Sequence, residues 1–197
     1  CELNVSATNR ILGRTIGALY KSGYGQVKVT YNTPLQLYKI EQTLKKTCMG
    51  FEITEQGKNY VLIKSLSKIL PKDFSNSLKR LFYTLEVMSE QLQEALKLNE
   101  KEMFDFVVAK DDQVNKLADF CRRVINLGEL KHEKKVGVIY YVVEQLERIG
   151  DIYKKIALLA KENNSKLKKQ DIEHFKEIND LFISYRKMYY SFNLDSA

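Results

Sequence analysis

The sequence predicts a mainly α protein, an antiparallel helical bundle preceded by a small α+β domain, and three observations carry that prediction. After Pro71 the chain all but loses the glycines and prolines that punctuate helices. Within residues 136–162, VGVIYYVVEQLERIGDIYKKIALLAKE, the residues Ile139, Val142, Leu146, Ile149, Tyr153, Ile156 and Ala160 recur at steps of three and four. That is the seam of a helix packed lengthwise against others. Before Pro71, short alternating stretches and turn residues replace the long helical period.

Length and composition agree with this division. A chain of 197 residues suits two domains, 1–70 and 71–197. Its 44% hydrophobic and 29% charged content are those of a globular protein, and two prolines with no tryptophan favour helix. The longest apolar run, Val136 to Val143, falls far short of the roughly 20 residues that span a bilayer, so no membrane insertion is expected. Cys1, Cys48 and Cys121 form neither a disulfide framework nor a zinc pattern, which suits a reducing, cytoplasmic setting. The chain opens on Cys1 with no charged-then-apolar leader, and we expect a segment ahead of it. Residues 1–70 hold ten Lys/Arg against four Asp/Glu, or +6, and the remainder 22 against 21, or +1. The excess is dispersed, without the arginine cluster or aromatic-interleaved basic run that marks a nucleic-acid interface.

Taken in order, Leu3 to Val5 reads as a short strand. A helix from Ala7 to Lys21 follows, with Ile11, Leu12, Ile16, Leu19 and Tyr20 on one stripe and Gly23 as its terminator. Gln26 to Tyr31 alternates as a half-buried strand. Thr33, Pro34 and Gln36 form a capping box for a second helix that buries Leu37, Ile40 and Leu44. Phe51–Glu55 and Tyr60–Lys64 read as a hairpin. Such a small sheet leaves open edges, which charge must blunt or a second copy must pair; we therefore expect a homodimer through residues 1–70.

The bundle follows. One helix over 76–98 buries Leu78, Leu81, Leu85, Met88, Leu92 and Ala95. A second, over 100–127, buries Met103, Val107, Val114, Leu117, Cys121 and Val124 and ends at Gly128. The central helix comes next, then a turn at Asn163, Asn164 and Ser165. The last helix runs from Lys166 with Phe175, Ile178, Phe182, Tyr185, Tyr189 and Phe192 in register, making four antiparallel helices. The stretch EALKLNEKE at 94–102 is faintly echoed by MYYSFNLDSA at 188–197, as if a second helical repeat followed Ala197.

Function is most legible in the carboxylates. Glu144, Glu147 and Asp151 fall at i, i+3 and i+7 beside the central seam, and Asp112, Asn115 and Asp119 repeat the spacing one helix earlier, with Asp111 beside them. Antiparallel packing brings the two stripes together. Carboxylates gathered from two helices can hold a cation, since their oxygens replace its hydration shell while it relieves their repulsion. The same stripes also suit a solvated acidic face with Lys110, Lys116 and Arg148 as neighbours, and on composition alone that is the favoured reading. His132 and His174 lie outside any Glu-x-x-His spacing, so a ferritin-like di-iron site is not expected. Glycine-rich phosphate loops, nucleophile elbows and Cys/His pairs are missing from the sequence as well. We do not read an enzyme.

The segment Leu146-Glu147-Arg148-Ile149-Gly150-Asp151 resembles the LERIGD signature of PhoU-type phosphate-uptake regulators. Asp111-Asp112-Gln113-Val114-Asn115-Lys116-Leu117 resembles that family's upstream motif. The stretches GYGQVKV and GFEITEQGKNYVLIK are similar to the α+β region of archaeal PhoU-like proteins. The resemblance implies a PhoU-like bundle, a cytoplasmic role in phosphate uptake and phosphate-responsive signalling or transcription, and partners such as a phosphate transporter or sensor. It also implies iron, zinc or another divalent cation held by Glu147 and Asp151 with Asp111, Asn115 and Asp112. Asn115 stands where the family carries an acid, which removes one negative charge from the set. Archaeal relatives often carry an AbrB-like DNA-binding segment upstream; residues 1–70 show none, so DNA would be reached only through a segment missing here. Two rivals remain: the sensing and dimerisation part of such a DNA-binding regulator, and a metal-free helical scaffold.

Overall fold

The structure, a computed structural model, describes residues 2–4, 9–66, 68, 70–130, 135–163 and 168–191. The expectations placed on Cys1, Val5, Ala7, His132, Asn164, Ser165, Lys166 and residues 192–197 lie outside the described residues. The elements run β1 Glu2–Asn4, α1 Asn9–Lys21, β2 Gln26–Thr30, α2 Pro34–Thr47, β3 Phe51–Gln56, β4 Tyr60–Ser65, α3 Pro71–Leu98, α4 Lys101–Asn126, α5 Val136–Asn163 and α6 Lys169–Ser191. This is the helical bundle after a small α+β part that the sequence predicts. By its internal contacts the chain divides into one unit of Cys1–Leu78 with Asn115–Glu144 and another of Lys79–Val114 with Gln145–Ala197.

In the first unit the strands lie in the order β1-β2-β4-β3. β1 runs parallel to β2, and the other pairings are antiparallel, with an irregularity between Ile53 and Glu55 on β3. The capping box at the start of α2 forms as expected: Thr33 Oγ1 accepts from the Gln36 amide, and Gln36 Oε1 accepts from the backbone at Thr33. Gly23 and Gly128 both adopt positive φ, the left-handed conformation in which glycine ends a helix without a Cβ penalty. Leu12, Ile16 and Tyr20 from α1, Ile40 and Leu44 from α2, and Val27, Val29, Phe51, Val61 and Ile63 from the sheet are buried together. Each large apolar side chain withdrawn from water contributes about 1.5–3 kcal/mol. Ile11, predicted on the same face, is 56% exposed.

The last turn of α4 is built into this unit. Arg123 is 2% exposed; its guanidinium lies 4.9 Å from the Tyr20 ring centre and 4.6 Å from that of Phe51, and Nη1 donates to the Tyr20 carbonyl at 2.6 Å. Asn126 Nδ2 donates to the Lys21 carbonyl at 2.8 Å. These carbonyls belong to the last turn of α1, whose oxygens have no partners within their own helix, and a cation there also suits the helix dipole. Burial lowers the pKa of Arg123, and the two aromatic faces help to hold its charge away from water.

In the second unit four helical segments pack up-down-up-down. Along α4 and α5, Asp105 meets Lys161, Asp111 meets Lys154 and Val114 meets Gly150, an antiparallel sequence of contacts. Leu85 lies near Gly150 and Ser89 near Tyr153, so α3 runs parallel to α5. Phe82 meets Tyr189 and Tyr190, while Glu86 pairs with Arg186, so α6 runs antiparallel to α3. Tyr153 stacks edge-on against Phe175 and donates its hydroxyl to Asn179 Oδ1 at 3.0 Å, joining α5 to α6.

All six apolar residues assigned to α3 are buried, and so are those assigned to α4 except the half-buried Met103. The face of α5 is turned by about one residue from the predicted seam. Val143, Leu146, Gly150, Tyr153 and Ala157 are the buried set, while Ile139, Val142, Ile149, Ile156 and Ala160 are half-buried. The reason is close approach: a Cβ on Gly150 would lie 2.8 Å from Val114 Cγ1 and 3.4 Å from Leu85 Cδ2. Gly150 and Ala157 face inward, and at Gly150 the neighbours leave no room for a side chain. On α6 the inward set is Phe175, Asn179 and Phe182, and Ile178, expected inside, is 57% exposed.

Gly150→Ala tests this approach. Helix propensity favours alanine by about 1 kcal/mol, but overpacking against fully buried, β-branched Val114 costs about 1–3 kcal/mol. Urea unfolding followed by far-UV circular dichroism should show a net loss of stability of up to about 2 kcal/mol; a raised midpoint would mean the helices are not in contact there.

Candidate functional site

The two carboxylate stripes meet protein cations in both units. In the second unit Asp111 is fully buried, and Lys154 Nζ donates to its Oδ2 at 2.6 Å. An ionised carboxylate taken out of water is costly unless paired and hydrogen-bonded, and this lysine supplies the pairing. The ammonium remains partly exposed, and the hydrogen bond to Asp111 raises its pKa against the opposing effect of burial, with the nearby charges of Asp151 and Asp112 adding to the rise. Asp112 and Asp151 are themselves exposed, and Glu147 is half-buried.

In the first unit the bridging cation is Arg122. Its Nε pairs with Glu144 and its Nη1 with Asp119 Oδ1 at 2.8 Å, while Lys21 Nζ lies 3.5 Å from the same Asp119 oxygen. Burial pulls the guanidinium pKa down, but the bonds to Glu144 and Asp119 outweigh it and the net shift is upward. A guanidinium offers two directed donors to two carboxylates, which an ammonium cannot match in geometry. Asn115, counted by contacts with this unit, is half-buried on α4 one turn beyond Asp111.

The expected ligand set is Glu147, Asp151, Asp111, Asn115 and Asp112. Among the described residues no three of His, Cys, Asp and Glu are gathered into a group that could hold a metal ion. The position beside Asp111 where a bound cation would sit holds a lysine nitrogen instead. As arranged, Asp111 is engaged by Lys154 across α4 and α5.

Sequence reasoning named Lys110, Lys116 and Arg148 as the cationic neighbours and missed Lys154 and Arg122. The signal was present: Lys154 lies at i+3 from Asp151 and i+7 from Glu147, on the same stripe, and Arg122 at i+3 from Asp119. Lys116 is engaged elsewhere, donating to the Lys45 carbonyl at 2.9 Å.

The remaining reactive groups are subdued. Burial pushes the Cys48 thiol up to about 11 and the Cys121 thiol up to about 12, where the nucleophilic thiolate is scarce at neutral pH. Cys48 borders a cavity of about 420 Å³ whose charged lining, Glu41, Lys45, Glu52 and Lys116, is of mixed sign. His174 is exposed on α6.

Residues 78–160 match the family model described as PhoU domain. No curated protein and no solved structure matches the chain.

The Arg122 bridge yields a test. Arg122→Ala leaves the buried Asp119 carboxylate only the more distant Lys21 and should cost about 3 kcal/mol, whereas Glu144→Gln, at a partly exposed partner, should cost less than about 1 kcal/mol. Equal losses in chemical unfolding would show that Asp119 does not depend on the guanidinium.

Proposed function

With a PhoU domain over residues 78–160 this chain is a PhoU-like protein, and from that premise we propose that it regulates phosphate uptake and phosphate-responsive signalling by contact with other proteins. The family match carries the reading, and a domain of this family is a regulator rather than an enzyme. The partners we propose are a phosphate transporter or sensor, met in the cytoplasm. Among the described residues no helix is long and apolar enough to cross a membrane.

A metal-bound form using Glu147, Asp151, Asp111, Asn115 and Asp112 would have to share Asp111 with the Lys154 ammonium or displace it. A part in transcription, through a DNA-binding segment upstream of Cys1, is the second reading; the dispersed +6 of residues 1–70 gives it only unspecific phosphate attraction to draw on.

The role is checked in cells of the source organism by measuring phosphate uptake and phosphate-responsive transcripts with and without the gene, at scarce and at ample phosphate. Loss of the chain should uncouple uptake from supply. Identical responses with and without it would remove the proposal.

We further propose that the chain works as a homodimer through residues 1–70. The sheet has β1 and β3 at its edges, β3 is irregular and carries exposed Glu52 and Glu55, and Ile11, Leu35 and Tyr38 are exposed on α1 and α2. Charge and irregularity blunt a β edge, so the apolar helix residues are the better contact. Sedimentation of the full chain should give a dimer that Ile11→Glu with Tyr38→Glu weakens; a monomer, or a dimer indifferent to both changes, counts against this surface.

A further inference from the structure

We infer that Lys154 is the built-in counter-cation of the α5 carboxylate stripe, filling the role that a metal ion would otherwise have there. The inference rests on the PhoU-like reading of the Glu147–Asp151 segment and is independent of the regulatory role. Three observations carry it.

Asp111 is fully buried, so its charge needs a partner in the folded protein, and the partner on its Oδ2 is the Lys154 nitrogen at 2.6 Å. The lysine stem rises from α5 three residues after Asp151 and seven after Glu147, so an ammonium tethered on their stripe reaches across to Asp111 on α4. Along α4, the residue one turn beyond Asp111 is the neutral Asn115 rather than an acid. One negative charge fewer on α4 and one positive charge more on α5 act in the same direction: each lowers the demand for an external cation. A divalent ion entering this stripe would have to displace a tethered ammonium and would find fewer anionic oxygens to replace its hydration shell.

Lys154 lies one helical turn from Gly150, where α5 comes close to Val114 of α4. That approach keeps the ammonium within reach of Asp111.

The experiment uses the full chain, with Lys154→Met, Asp111→Asn and the double variant, in thermal melts with and without added Mn²⁺. Methionine keeps an unbranched apolar stem and removes the charge. Lys154→Met should lower the melting midpoint by about 4–8 °C, and the double variant should melt above the sum of the two single losses, because both charges leave together. Added Mn²⁺ should raise the midpoint of Lys154→Met more than that of the parent. Additive losses would overturn the inference, as would equal responses to Mn²⁺ in parent and variant, including none in either. Neither result bears on phosphate control in cells, so failure here is distinguishable from failure of the proposed function.

Discussion

The close approach of Gly150 to Val114 and Leu85 governs the second unit. A side chain at position 150 would hold α5 away from α3 and α4, and the pairs that depend on that spacing would open with it. Lys154 would lose its reach to Asp111, and Tyr153 its place beside Ser89. The glycine of the LERIGD segment is thus explained by packing, without reference to a ligand. Its immediate neighbours divide the remaining work: Leu146 and Tyr153 enter the core, while Arg148 and Asp151 stay exposed.

In the first unit a single arginine has a comparable place. Arg123 satisfies a carbonyl at the end of α1 and lies against the rings of Tyr20 and Phe51. An apolar side chain there could fill the space but would remove the shorter of the two hydrogen bonds to the Tyr20 carbonyl, leaving only that from the Gly23 amide at 3.1 Å. Arg122, the next residue around the helix, turns to Asp119 and Glu144 instead. Adjacent arginines on α4 thereby serve two different neighbours, a consequence of the 100° that separates consecutive residues on a helix.

Much of this was legible before the structure. Long runs with one dominant stripe, such as Leu78 to Ala95 on α3, were read residue by residue, because large aliphatic side chains at helical spacing leave few alternatives. The capping box at Thr33 and the glycine ends of α1 and α4 were equally plain, since their chemistry is local. On α5 and α6 two adjacent stripes are both apolar, so period alone could not choose the inward one; the choice fell to small or polar residues, Gly150 and Asn179, that carry no hydrophobic signal. The acids of the candidate site were found, but not the cations that pair with them. Carboxylates attract attention as ligands, and lysines on the same face are easily read as solvated charge. Only the distance from Lys154 to Asp111 shows otherwise.

Native mass spectrometry of the full chain, purified without chelator and sprayed from a volatile near-neutral buffer, measures most directly whether the carboxylate stripe is balanced by the protein itself. Compensation by Lys154 predicts the mass of the bare polypeptide for each chain, with Asp111→Asn likewise bare. A parent that carries stoichiometric iron, zinc or another divalent ion, lost on Glu147→Gln with Asp151→Asn, would contradict it.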